Sequence, residues 1–209
     1  MSKIKPFPTR LIASIMLVVV FSARVLADCT CHAYGHCSAG ASRDWPATSF
    51  DYSSNRIIFY INRNLSVRER ALFYRALALW EPAMRANGLS YYVRPTTTHE
   101  DNHGIHEISI DWIPDNDDGN TLGVTYDGGV HHRHVIIDQG FWHGRYTDAQ
   151  RVAVIAHEFG HVLGLAHSAN HGDLMHDHYN PMNLYPTRTD LVRASSLLRQ
   201  AVMRRRFGR

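Results

Sequence analysis

Between residues 157 and 167 the chain reads His157-Glu158-Phe159-Gly160-His161-Val162-Leu163-Gly164-Leu165-Ala166-His167, which sets three imidazoles and one carboxylate in a short stretch. Residues four apart on an α-helix share a face, so His157 and His161 direct two ring nitrogens at one point. Zinc takes neutral imidazole at roughly 2.0–2.1 Å and favours tetrahedral coordination, so two histidines alone underfill such a site. Gly164 can adopt the left-handed conformation that ends a helix, turning the chain so that His167 returns toward the same metal as third ligand. The fourth position is then open to water. Glu158 neighbours the first ligand and projects to one side, where it can take a proton from that water without ligating the metal. The chemistry to expect is metal-assisted hydrolysis, with Glu158 first as general base and then as general acid. A bare H-E-x-x-H is also compatible with a satisfied core histidine, and it is the glycine break and the third histidine that make the pattern specific.

These residues need a helix to carry them. Thr147 and Gln150 have the spacing of a capping box and open an apolar helix through Val152, Ile155, Ala156, Phe159 and Val162, which Gly164 stops. A second long helix is expected upstream, capped by Ser66 and Glu69, with Val67, Ala71, Tyr74, Leu77 and Met84 on one face, Phe73 and Trp80 widening the stripe, and Asn87-Gly88 ending it. Strands are expected at 56–61, 89–93, 105–113, 121–126 and 135–137, with an acidic turn over 114–120 and a glycine turn at Gly128-Gly129. A loop over 173–186 leads to a final helix, capped at Thr189-Asp190, whose apolar face is Leu191, Leu197, Leu198 and Val202. The mixture of strands and long helices is α+β.

The chain has 209 residues, 44% hydrophobic and 20% charged, with a net charge of +3, enough for one domain with a sizeable core. Its arginines cluster at the end, in Arg204, Arg205, Arg206 and Arg209, which reads as a solvated helix end. No nucleic-acid partner is expected, because no broad basic face with interleaved aromatics is evident. Residues 1–27 read as a signal peptide: Lys3, Lys5 and Arg10, an apolar run from Leu11 to Phe21, and small residues before a cut after Ala27. That run is too short for an ordinary transmembrane helix, which needs about twenty residues. The mature protein is therefore expected outside the cytoplasm, secreted or periplasmic and off the membrane once the signal is cleaved, with an uncleaved anchor as the alternative; it is also expected to be a monomer. Residues 28–50 form an irregular segment holding Cys29, Cys31 and Cys37, an odd count that fits one local disulfide and a free thiol. The folded domain is expected over 51–209.

His157, Glu158, His161, Gly164 and His167 match the five specified positions of the signature H-E-x-x-H-x-x-G-x-x-H, and the chain resembles the metzincin metallopeptidases. Ser168 after the third histidine and Leu174-Met175 beyond it are similar to the matrixin (matrix metalloproteinase) branch with its Met-turn beneath the zinc. The likeness extends upstream through Arg56–Tyr60, Leu79-Trp80, Thr121-Leu122-Gly123, Ile137-Asp138 and Trp142. The resemblance implies a zincin-like catalytic domain: a twisted five-stranded mixed sheet, an active-site helix, a backing helix and a C-terminal helix. It also implies an edge strand near Leu122 to Tyr126 on which an extended protein or peptide substrate adds as a further strand.

Departures from the family narrow the expectation. Ser109, Val124 and Ile136 stand where three histidines of the family's second, structural zinc would be, and only Asp111 remains, so one catalytic zinc is expected. His131, His132, His134 and His143 read as surface residues. Asp115, Asp117 and Asp138 are candidate hard-oxygen ligands for calcium, against a plain solvated acidic turn, although Phe141 replaces a family carboxylate. Tyr179, in Asp177-His178-Tyr179, is the candidate lining residue of the specificity pocket. No long propeptide of the family's kind is expected, and the three cysteines read as either a disulfide cluster or a thiolate latency switch on the zinc. The reading that accounts for every motif is a secreted zinc metalloendopeptidase. The alternatives are a non-catalytic secreted protein that keeps zinc for stability and grips peptides, and a metallohydrolase acting on a non-peptide bond.

Overall fold

The computed structural model describes residues 55–62, 65–96, 105–111, 121–127 and 133–207. The expected signal peptide, the cysteine segment, Asp115, Asp117, His131 and His132 lie outside them. In chain order the elements are β1 (Arg56–Asn62), α1 (Val67–Arg85), β2 (Ser90–Thr96), β3 (Ile105–Asp111), β4 (Gly123–Asp127), β5 (Arg133–Asp138), α2 (Gln139–His143), α3 (Asp148–Val162) and α4 (Arg188–Phe207). The class is α+β. The strands hydrogen-bond in the order β2-β1-β3-β5-β4. The pairs β1–β2, β1–β3 and β3–β5 are parallel, and β4 runs antiparallel to β5 at the edge.

Both capping boxes form. In α1 Ser66 Oγ accepts from the Glu69 amide while Glu69 accepts from the Ser66 amide at 2.7 Å. In α3 Thr147 and Gln150 exchange the same pair of bonds. Satisfying two otherwise orphaned N–H groups fixes where each helix starts. At the end of α1 Gly88 takes φ +67°, a turn conformation available to glycine at little cost.

The buried face of α1 differs from the expected stripe. Leu72, Phe73, Ala76, Leu77, Trp80, Ala83 and Met84 are buried, whereas Val67, Ala71 and Tyr74 are exposed. The helix carries more apolar residues than one face can hold, and docking against α3 and the sheet selects the stripe. That docking joins Trp80, whose indole N–H donates to the Ala156 carbonyl at 2.8 Å, and the Phe59–Phe159 ring pair, 5.1 Å between centroids. Trp80, Phe59 and Phe159 are all essentially unexposed, and burying each large apolar side chain contributes about 1.5–3 kcal/mol.

Two further elements correct the sequence reading. The short helix α2 is unexpected. Asp138 caps it by accepting the Phe141 amide at 2.8 Å, and its Trp142 packs on Phe73 of α1 and donates to Glu69 at 2.9 Å. At α4 the reciprocal bonds join Thr187 and Asp190, so Thr187 rather than Thr189 is the cap. Leu197 and Leu198 of α4 are buried together with Ala194 and Ala201, completing the core beside α1. Among the described residues no helix is long and apolar enough to cross a membrane.

Candidate metal centre

Every residue of α3 from Val152 to Val162 is buried, so this helix holds His157, Glu158 and His161 inside the protein. It ends in a Schellman motif. The Leu165 amide bonds the Gly160 carbonyl at 3.0 Å, the Gly164 amide bonds the His161 carbonyl at 2.9 Å, and Gly164 has φ +100°. A side chain at residue 164 would strain this turn. Arg133, 1% exposed on β5, caps the same helix end by donating to the carbonyls of His161 and, at 2.9 Å, Val162, a favourable placement of positive charge at a helix C-terminus.

The turn brings three imidazoles together. Nε2 of His161 lies 3.1 Å from Nε2 of His157 and 3.2 Å from Nε2 of His167. His157 Nδ1 is 2.7 Å from the Leu174 carbonyl, and His161 Nδ1 is 2.7 Å from the Leu165 carbonyl. A carbonyl only accepts, so each Nδ1 carries the proton and each Nε2 keeps its lone pair. Lone pairs converging in this way repel unless a cation lies between them. Tetrahedral coordination at roughly 2.05 Å separates ligand nitrogens by about 3.3 Å, so the observed cluster has the dimensions of a zinc site. Protons compete poorly for it. Burial, aided by neighbouring His167, pushes His157 down to about 3, and burial with the adjoining histidines holds His161 well below the ordinary imidazole range.

Glu158 is unexposed and faces β4. The Thr125 hydroxyl donates to its Oε2 at 2.6 Å and lies 3.2 Å from its main-chain carbonyl. Gly123, two residues earlier on the same strand, leaves room for it: a Cβ there would lie 3.0 Å from Glu158 Cγ and 3.1 Å from Oε1. Neither contact follows from the sequence, because strand alternation does not say which helix residue a threonine meets.

Beyond His167 the chain is laced to a buried methionine. The Ser168 amide donates to the Met175 carbonyl at 2.6 Å, and the Ser168 hydroxyl donates to Asp173 at 2.7 Å. Asp173, 1% exposed, also accepts from Asn170 at 3.1 Å and from the Thr187 hydroxyl at 2.7 Å. Asp190 accepts from the Leu174 amide at 3.0 Å, so α4 holds the segment whose carbonyl orients His157. Asp173 and Asp190 were not among the expected site residues. The spacing Thr187-x-x-Asp190 is a capping-box signal that sequence reading could have used.

Tyr179 lines a small cavity beside His157, together with Val154, Leu174, His176 and His178. The group His176, Asp177 and His178 also brings possible ligand atoms within 4.8 Å of one another. Within it Asp177 Oδ1 lies 2.6 Å from His178 Nδ1 and 3.3 Å from His176 Nε2. Asp138, expected as a calcium ligand, is buried and caps α2. Val124 and Ile136, at two positions of the expected missing histidines, pair across β4 and β5 and pack as an apolar pair. His143 is exposed and His134 partly so.

The family model described as Matrixin matches residues 53–197. No curated protein matches the chain.

Proposed function

The chain belongs to the matrixin family, and on that premise we propose that it is a secreted zinc-dependent metalloendopeptidase that hydrolyses peptide bonds in proteins or peptides. His157, His161 and His167 hold the metal through Nε2, and the observation that carries this reading is their convergence with both buried Nδ1 atoms committed to carbonyls. Bound zinc supplies a Lewis acid that polarises the scissile carbonyl and lowers the pKa of water. Glu158 takes the proton of the attacking water and delivers it to the departing amine, which restores the carboxylate for the next turnover.

The main chain of β4, at the edge of the sheet and beside α3, offers the hydrogen-bonding groups on which an extended substrate adds as a strand. Tyr179 and its neighbours form the pocket that receives a substrate side chain next to the metal. The basic start, apolar run and small residues before Ala27 support export by a cleaved signal peptide, and the mature chain acts as a monomer with one catalytic zinc.

The deciding experiment compares wild type with Glu158→Ala on a mixed protein substrate, with and without a zinc chelator. Wild type is expected to lose activity to the chelator and regain it with zinc, and the variant is expected to bind zinc without cleaving. Equal cleavage by the variant would sink the mechanism. Zinc binding with no cleavage by either protein would favour a non-catalytic, zinc-stabilised peptide-binding protein.

A further inference from the structure

We propose that Thr125 is a positioning residue for Glu158, and that Gly123 and Thr125 together make β4 the cradle of the general base; the proposal rests on the peptidase reading above. Three observations place the two strand residues against one carboxylate. Thr125 and Glu158 are both unexposed. Their contact is 2.6 Å, within the range of a hydroxyl donating to an ionised carboxylate. Gly123 and Thr125 are two apart on a strand, so they share the face turned toward α3: Thr125 bonds the Glu158 carboxylate, and a Cβ at Gly123 would lie 3.0 Å from Glu158 Cγ.

A glutamate side chain has three rotatable bonds, and a general base must hold its proton-accepting oxygen within hydrogen-bond reach of the water. The Thr125 hydroxyl fixes Oε2, while the absence of a Cβ at Gly123 leaves space for the rest of the carboxylate on the other side. The hydroxyl also suits both halves of the reaction. With Glu158 ionised it donates to Oε2. When Glu158 carries the transferred proton, the hydroxyl can rotate to donate to the Glu158 carbonyl, 3.2 Å away. Valine has the shape of threonine and can do neither, whereas serine can do both.

The experiment compares Thr125→Val, Thr125→Ser and Gly123→Ala in the zinc-loaded full chain. Thr125→Val is expected to lower kcat roughly 10- to 100-fold, the scale of a small misplacement of a reacting group, with KM and zinc content unchanged. Thr125→Ser is expected to stay near wild type. Gly123→Ala is expected to lower kcat by displacing the carboxylate, and it tests the cradle should Thr125→Val fail to fold. Its backbone has no positive φ, so alanine is conformationally permitted.

A double-mutant cycle of Thr125→Val with Glu158→Ala, read by thermal unfolding, checks the contact independently of activity, and the two effects are expected to be non-additive. Additive effects, or wild-type kcat in both Thr125→Val and Gly123→Ala, would overturn the proposal while leaving the peptidase reading intact. A wild type with no chelator-sensitive cleavage would overturn that reading and this proposal with it.

Discussion

Gly160 sits on Met175: a Cβ at residue 160 would lie 2.2 Å from the Met175 sulfur and 3.1 Å from Trp80 Cζ2. The second unspecified position of H-E-x-x-H is therefore closed to side chains in this chain, because the Met175 side chain occupies the space. Met175 and Trp80 are both unexposed, and neither can swing into solvent. Gly160→Ala is expected to destabilise the zinc-loaded protein by about 1–3 kcal/mol, the usual cost of overpacking a filled core. Met175→Ala in the same chain should recover part of the loss. Thermal unfolding of the two single variants and the double decides it, and additive losses would show that the two residues do not meet.

The loop after His167 depends on one carboxylate. Asp173 accepts from Ser168, Asn170 and Thr187, and so ties the third histidine's neighbour to the start of α4. Asp173→Ala leaves three donors without that acceptor and is expected to cost at least about 2 kcal/mol. Because Ser168 directly follows His167, zinc affinity should fall as well. Competition with a calibrated chelator measures the second effect. Unchanged affinity in a destabilised variant would mean that the loop can loosen without moving His167.

How far the sequence discloses this molecule depends on the distance over which each decision is made. The convergence of three imidazoles is legible because His157, His161 and His167 are placed by helix geometry and the Gly164 turn within eleven residues, and the capping boxes at Ser66 and Thr147 are local in the same sense. The face of α1 is not local. Val67, Ala71 and Tyr74 fit a helical apolar spacing as the buried residues do, and only the position of the elements packed on α1 leaves them outside. Thr125 meets Glu158 across 33 residues and Asp173 meets Thr187 across 14, separations over which no periodicity operates. Helix α2, with five residues, is too short to show a period at all.

Metal removal should be visible in stability as well as in activity. A ligand that binds only the folded state stabilises it by an amount set by its concentration over Kd, about 4 kcal/mol at a thousandfold excess. Wild type is therefore expected to unfold at a higher temperature with zinc than with chelator. His161→Ala removes the imidazole whose Nε2 faces those of both His157 and His167, and its unfolding temperature should barely respond to zinc. A full zinc response in that variant would exclude His161 as a ligand.

Asp190 supplies a pH dependence separable from the metal. It is unexposed, and burial raises its carboxyl above the ordinary value of 3.8 despite the amides of Thr187 and Leu174 that favour the charged form. A carboxyl with a raised folded-state pKa holds its proton more tightly in the native protein than in the unfolded chain. Its contribution is therefore fully present below pH 3.8 and is lost as pH rises through the folded-state value. Asp190→Asn cannot ionise and removes that dependence. With zinc chelated throughout, denaturant unfolding of wild type and variant is expected to give a stability difference that shifts in favour of the variant as pH rises above 3.8. The expected sign is fixed by burial outweighing the two amides. A difference that shifts toward wild type instead would mean that the amide bonds from Thr187 and Leu174 dominate, and that Asp190 holds the start of α4 and the Met175 loop as a charged anchor.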